Sequence, residues 1–140
     1  GVADSAFGCS ALISNVYGRA NTSGGVFSMG NHFGSESRGN GNTVWGYKAA
    51  YEGLYNNNVT AIGYRTLFSN QESENTGVGS YALEDNLAGT ELTAVGFEAL
   101  RRNLGFDIPV PPFKDFGSQN TAVGFKSQTY NIQGYANSSL

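Results

Sequence analysis

Apolar and polar positions alternate along this chain only in short bursts, and the bursts recur. Asn42-Thr-Val-Trp-Gly-Tyr47, Thr60-Ala-Ile-Gly-Tyr64, Asn75-Thr-Gly-Val-Gly79, Thr93-Ala-Val-Gly-Phe97 and Asn120-Thr-Ala-Val-Gly-Phe125 superimpose on their glycines. Two looser copies precede them, Ala6-Phe-Gly-Cys9 and Val26-Phe-Ser-Met29. With anchors at Gly8, Ser28, Gly46, Gly63, Gly79, Gly96 and Gly124, the steps are 20, 18, 17, 16, 17 and 28 residues. Asn137-Ser-Ser-Leu140 reads as the opening of an eighth copy, so the chain is expected to be a fragment that stops inside a repeat.

Each burst is a short β-strand, because side chains in a strand alternate between two faces. Three residues before the anchor stand Ser5, Gly25, Thr43, Thr60, Thr76, Thr93 and Thr121. One before it stand Phe7, Phe27, Trp45, Ile62, Val78, Val95 and Val123, and one after it Cys9, Met29, Tyr47, Tyr64, Ser80, Phe97 and Phe125. These columns share one face. The other face is small: Ala6, Val26, Val44, Ala61, Gly77, Ala94 and Ala122, followed by the anchors themselves. The large face is expected to be core. The small face, Ala61, Gly77, Ala94 and Ala122 above all, is expected to let a second backbone approach closely, as a close-packing or trimer face.

Two further columns follow the anchor. Four residues on come Leu12, His32, Ala50, Leu67, Leu83, Leu100 and Gln128; seven on come Asn15, Ser35, Gly53, Asn70, Asn86, Asn103 and Asn131. Stacking would align these asparagines into a ladder, with their amides bonding neighbouring turns. The stretch Phe97-Glu-Ala-Leu-Arg-Arg-Asn103 has room for one helical turn but not for a stable helix.

A unit of this length holds two short strands and two turns and cannot bury an apolar face alone. The expected fold is therefore mostly β, a stacked-rung β-solenoid of about seven rungs, forming a rod about 34 Å long at roughly 4.8 Å per rung. Residues 1–40 hold degenerate rungs and 41–105 regular ones; 106–117 are an inserted loop, and 118–140 the last rung and a truncated eighth, all within one repeat domain. The thin core of each rung, with one cysteine and no metal-binding pattern to reinforce it, points to oligomerisation.

Composition narrows the function classes. Only 14% of residues are charged and the net charge is −3, with no basic run to neutralise phosphates, so a nucleic-acid partner is not expected. No apolar run approaches the roughly 20 residues of a membrane-spanning helix, and membrane insertion is not expected. Aromatic residues make up 13% of the chain, which argues against disorder.

The motifs Asn120-Thr-Ala-Val-Gly-Phe125 and Thr93-Ala-Val-Gly-Phe-Glu-Ala-Leu-Arg-Arg-Asn103 resemble the repeats of phage and viral tail-fibre proteins. They are also similar to the head repeats of trimeric autotransporter adhesins. The resemblance covers nearly the whole chain, strongly from Asn42 to Asn131. It implies a trimeric β-solenoid or β-roll in an extracellular or virion-borne attachment fibre. It also implies a host-surface glycan or receptor as target. The rungs are longer than the adhesin head repeat, the first two are degenerate, and one carries an insertion. A bacterial adhesin head is the alternative owner, and a polysaccharide-cleaving tail spike the alternative of a different class.

Candidate chemistry is sparse. His32 is the single histidine and Cys9 the single cysteine, expected as packed or solvent-facing and as buried and inert respectively. Neither marks a nucleophilic site. The acidic pairs Glu72/Glu74, Glu84/Asp85 and Asp107/Asp115 fall between repeat strands, where solvated turns are expected, so the chain is read as a non-enzyme without cofactor or metal. The Thr column is a single row, without the second row that an ice- or crystal-binding surface needs. Asn21-Thr-Ser, Asn58-Val-Thr and Asn137-Ser-Ser match the glycosylation pattern, which Asn-rich turns produce by chance.

Tyr51, Tyr55, Tyr81, Tyr130, Phe106, Phe113 and Phe116 fall outside the repeat columns, and of these Tyr51, Tyr55, Phe106, Phe113 and Phe116, with Lys114, are the candidate receptor or glycan contacts. Flat apolar rings beside amides suit sugars. All three prolines, Pro109, Pro111 and Pro112, lie in the insertion, which is expected to bulge from the rod as a binding loop or as a lock between chains.

Overall fold

The computed structural model describes residues 2–30, 38–53, 56–104 and 117–140. Among the described residues twelve short strands form two sheets, and every pairing is parallel. The long sheet runs β1 (Ser5–Phe7), β2 (Thr22–Gly24), β3 (Thr43–Trp45), β4 (Thr60–Ile62), β6 (Thr76–Val78), β8 (Thr93–Val95), β10 (Thr121–Val123) and β12 (Ser138–Ser139). The short sheet runs β11 (Tyr130–Asn131), β9 (Arg102–Asn103), β7 (Asp85–Asn86) and β5 (Ser69–Asn70). The chain is a mostly β solenoid of about seven turns, with no helix among the described residues.

Each rung repeats one backbone itinerary. The residue five before the anchor is left-handed in all seven rungs, at Ala3, Ala20, Gly41, Asn58, Glu74, Glu91 and Gln119, and Ala136 repeats it before β12. So are the residues two and four after it, as in Arg65 and Leu67 or Glu98 and Leu100, with φ near 50°. A left-handed residue at every second position excludes the helical turn expected over Phe97–Asn103, and the segment ends instead in β9. These conformations are costly for ordinary side chains. The inter-rung hydrogen bonds that flank them, such as Arg65 N to Tyr47 O (3.0 Å) and Leu67 N to Ala82 O (3.0 Å), hold them in place.

The anchor position has φ between 116° and 137° in all seven rungs, which only glycine adopts without strain. A Cβ on Gly46 would also run into the carbonyl of Gly63 directly above it. This double demand corrects the second rung. Its anchor is Gly25, not Ser28: Gly24 pairs with Trp45, Gly25 has φ 120°, and Phe27 and Met29 take the two left-handed positions that follow. The observed steps are therefore 17, 21, 17, 16, 17 and 28 residues. Thr22, not Gly25, joins the Thr column, and buried Met29 takes the place expected for His32, which lies outside the described residues.

The structure also reverses the two faces. The small column points inward: Ser23, Val44, Ala61, Ala94 and Ala122 are fully buried within the single chain, and Gly77 lies between Thr66 and Leu67. Against it pack Ala49, Ala82 and Ala99 and then Leu67, Leu83 and Leu100. A two-sheet rung is too narrow for a ring on both sides, so leucine and alanine fill it and the aromatic columns face out. Ala61, Gly77, Ala94 and Ala122 thus pack closely against their own chain and present nothing to another.

Asparagine replaces hydrophobic core at the corners. Asn131 Nδ2 donates to Asn103 Oδ1 (2.8 Å), Asn103 to Asn86 (2.8 Å), Asn86 to Asn70 (2.6 Å) and Asn70 to Asn56 (2.8 Å). In the third rung the repeat position is Gly53, and the Asn56 amide occupies the space its side chain would take. A second ladder lies four residues before the anchor. There Asn42 Oδ1 accepts from Val59 N (2.8 Å) while Nδ2 donates to Asn56 O (2.6 Å); Asn75 does the same for Leu92 N and Gly89 O (3.0 Å each). The amides satisfy corner backbone groups that neither sheet pairs.

Candidate interaction surface

The outer face of the long sheet carries the columns on either side of the anchor. Phe7, Trp45, Ile62 and Val95 form one row; Val26, Tyr47, Tyr64, Phe97 and Phe125 form the next, and all nine are exposed. Trp45 is 53% exposed, Phe97 39% and Phe125 74%. A band of large apolar groups through the whole rod is far beyond the scattered hydrophobics of an ordinary surface. The two rows themselves hold no charged residue, and Lys48 and Lys126 reach over their edge, with Nζ 5.6 Å and 5.4 Å from the ring centroids of Tyr47 and Phe125.

The band is ordered by the sheet beneath it. Parallel pairing places Trp45 beside Ile62 and Val78 beside Val95, so equivalent side chains stack at rung spacing. Gly24 leaves a gap in the first row, and the Trp45 indole lies over it towards Phe7, with ring centroids 6.2 Å apart. Ser80 leaves a gap in the second row, and Tyr81 fills it. Its ring stands 5.3 Å from Tyr64 and 6.1 Å from Phe97, giving an aromatic series Tyr47, Tyr64, Tyr81, Phe97, Phe125.

Charges border the band on its far flank. Glu84, only 5% exposed, accepts from Arg65 Nε (2.8 Å) through one oxygen and from Arg101 Nε (2.7 Å) through the other. Glu98 bonds Arg101 Nη1 at 3.1 Å and faces Lys126 Nζ at 3.6 Å, so four rungs are tied by one chain of ion pairs. The Glu84 bond holds Arg101 more firmly protonated than usual. Burial raises Asp85 above the ordinary carboxylate value, Glu84 adds to that, and Arg102 opposes it. Burial likewise raises Glu72.

Several expectations change here. Glu84 is a buried structural partner rather than part of a solvated turn. Cys9 is exposed on the outer face rather than buried, because its column faces out. Tyr51 is 8% exposed, packed between Phe27 and Phe68 under Lys48, and offers no surface to a sugar. Asn21 is fully buried with its amide donating to Gly39 O (2.8 Å), which removes it as a glycan acceptor. Tyr55, Phe106, Phe113, Lys114 and Phe116 lie outside the described residues, as do Asp107, Asp115 and the three prolines.

Among the described residues no group of three or more acidic, histidine or cysteine side chains is placed to hold a metal ion, and no helix is long and apolar enough to cross a membrane. The asparagines four before the anchor were legible only as repeat openings; their partners are backbone groups, which a side-chain pattern does not reveal. Comparison with protein-family models, with curated proteins and with solved structures finds no match, so the functional reading rests on the surface itself.

Proposed function

We propose that this chain is a structural and adhesive segment of a viral or phage attachment fibre, working as a homotrimer on a virion or cell surface. The carrying observation is the apolar, in-register band on the outer face of the long sheet. A second copy is the occupant that fits it. Its rungs have the same spacing by construction, so copies aligned along the rod bring each band residue level with its own equivalent. Any other partner would need to match that axial repeat. The threefold state and the fibre are carried by the likeness of Asn120-Thr-Ala-Val-Gly-Phe125 to tail-fibre repeats, and a bacterial adhesin head would use the same band.

Sedimentation equilibrium at micromolar concentration should give three times the monomer mass. Replacing Trp45 and Phe97 by lysine should dissociate the copies while the far-ultraviolet spectrum stays that of the parent. A folded, monodisperse parent monomer overturns the reading. The expected host-glycan or receptor contact is assigned to residues 106–116, and deleting Asp107 to Phe116 should abolish binding to host envelope without splitting the trimer.

A further inference from the structure

Three tyrosines occupy successive rungs on the outer flank. The Tyr47 and Tyr64 rings lie 5.5 Å apart, centroid to centroid, and within 14° of parallel; Tyr64 and Tyr81 lie 5.3 Å apart at 72°. The backbone keeps these residues one rung apart: Arg65 N donates to Tyr47 O (3.0 Å) and Tyr81 N to Tyr64 O (2.9 Å), so each ring stays within reach of its neighbour whatever its rotamer. Tyr64 touches both others. Tyr17, Tyr130 and Tyr135 are all more exposed than Tyr47 or Tyr64, yet no ring contact among the described residues joins any of them to another tyrosine.

We propose that Tyr47, Tyr64 and Tyr81 form an oxidative cross-linking site, at which hydrogen peroxide and a haem peroxidase join neighbouring phenols within one chain. Each of two phenols gives up one electron and its hydroxyl proton. The two phenoxyl radicals then form a carbon–carbon bond between ring positions next to their oxygens. The hydrogens displaced from those two carbons return to the oxygens, restoring both aromatic rings. The pair has lost two hydrogens overall, and one peroxide has become two waters. Neighbours held a rung apart meet at a very high effective concentration, so position rather than exposure selects the partners. The product is a covalent staple across rungs whose side-by-side contact otherwise rests on hydrogen bonds, packing and the Arg65–Glu84 ion pair. It also closes chain segments in the unfolded state, the effect by which cross-links stabilise.

The folded chain carrying Trp45→Lys and Phe97→Lys, dissociated so that no second copy covers the band, is treated with peroxide and a haem peroxidase and run on a denaturing gel, and the monomer band is digested and its coupled peptides identified by mass. Tyr47–Tyr64 and Tyr64–Tyr81 peptides should dominate over all other tyrosine pairs by at least about tenfold. Tyr64→Phe should remove both, Tyr47→Phe and Tyr81→Phe one each, and Tyr17→Phe neither; circular dichroism checks that each variant keeps the parent fold. Coupling confined to bands of higher mass overturns the proposal. So do pairs that follow exposure, through Tyr17, Tyr130 or Tyr135, and so does a folded chain that yields no coupled product.

Discussion

Strand β8 is three residues long, and its two faces do opposite work. Ala94 is fully buried among leucines and alanines of its own chain, whereas Val95 next to it is 36% exposed on the band. The same division holds at Val44 beside Trp45 and at Ala61 beside Ile62. The small residue of each pair makes the rung, and the large residue does little for a single chain. In most domains the largest apolar groups define the core. Here the space between the sheets sets a ceiling on side-chain size, and the large groups are left for a surface.

That contrast is broken most sharply by exchanging sizes across it. Ala94→Leu forces three extra carbons into a closed interior bounded by Ala61-type positions above and below, and should lower unfolding stability by about 3 kcal/mol or prevent folding. Val95→Ala removes two carbons from the outside and should leave the unfolding free energy of dissociated chains within about 0.5 kcal/mol of the parent. Its effect should appear instead as weaker association by sedimentation. Equal losses of chain stability from both changes would show that the two faces are not divided in this way.

Repeat and strand phase were open to inspection because glycine, threonine and alternating apolar residues recur at fixed offsets. The asparagine ladder was readable for the same reason at Asn70, Asn86, Asn103 and Asn131. Which face turns inward was not, since period-two alternation separates two faces without naming the inner one. Ranking by hydrophobicity then pointed to Trp45 and Tyr47, and the narrow rung decided for Ala61. The second rung was misaligned because Val26-Phe-Ser-Met29 imitates a repeat opening, while the true anchor, Gly25, is marked by backbone angle and by contact with Gly46. Asn56 standing in for Gly53 leaves no trace in a column at all.

The ladder offers the next largest effect. Asn86 donates to Asn70 Oδ1 and to Gly89 O (2.7 Å), and accepts from Asn103 Nδ2 and Gly89 N (3.1 Å), all in the interior. Asn86→Ala strands several of these groups without water, and each buried unpaired group costs about 1–3 kcal/mol. Urea unfolding should show a loss of about 2–4 kcal/mol, well above that for Asn57→Ala on the partly exposed corner. A loss below about 1 kcal/mol would mean that the ladder orders the corners without stabilising them. Glu84→Gln should fall between, at about 1–2 kcal/mol, because Arg65 and Arg101 keep partial access to solvent.

The smallest effect separates charge from packing on the flank of the band. Asp85 lies beside Arg102, with Nε 3.6 Å from Oδ2, yet burial and the neighbouring Glu84 raise its pKa in the folded chain above the ordinary 3.8. A carboxyl whose folded pKa is raised favours the folded state fully below the unfolded value and loses that contribution as pH rises through the folded one. Asp85→Asn removes this dependence. The parent should therefore lose stability relative to the variant as pH climbs from below 3.8 through the next units, and the gap should be constant at neutral pH. Asp85 is about a third exposed, so solvent screening holds the difference to a few tenths of a kcal/mol. Paired urea titrations across that pH window would resolve it through the shift in midpoint. A gap that moves the other way, with the parent gaining on the variant as pH rises, would show that Arg102 outweighs burial and that the ion pairs beside the band hold the rungs together rather than merely tolerating charge there.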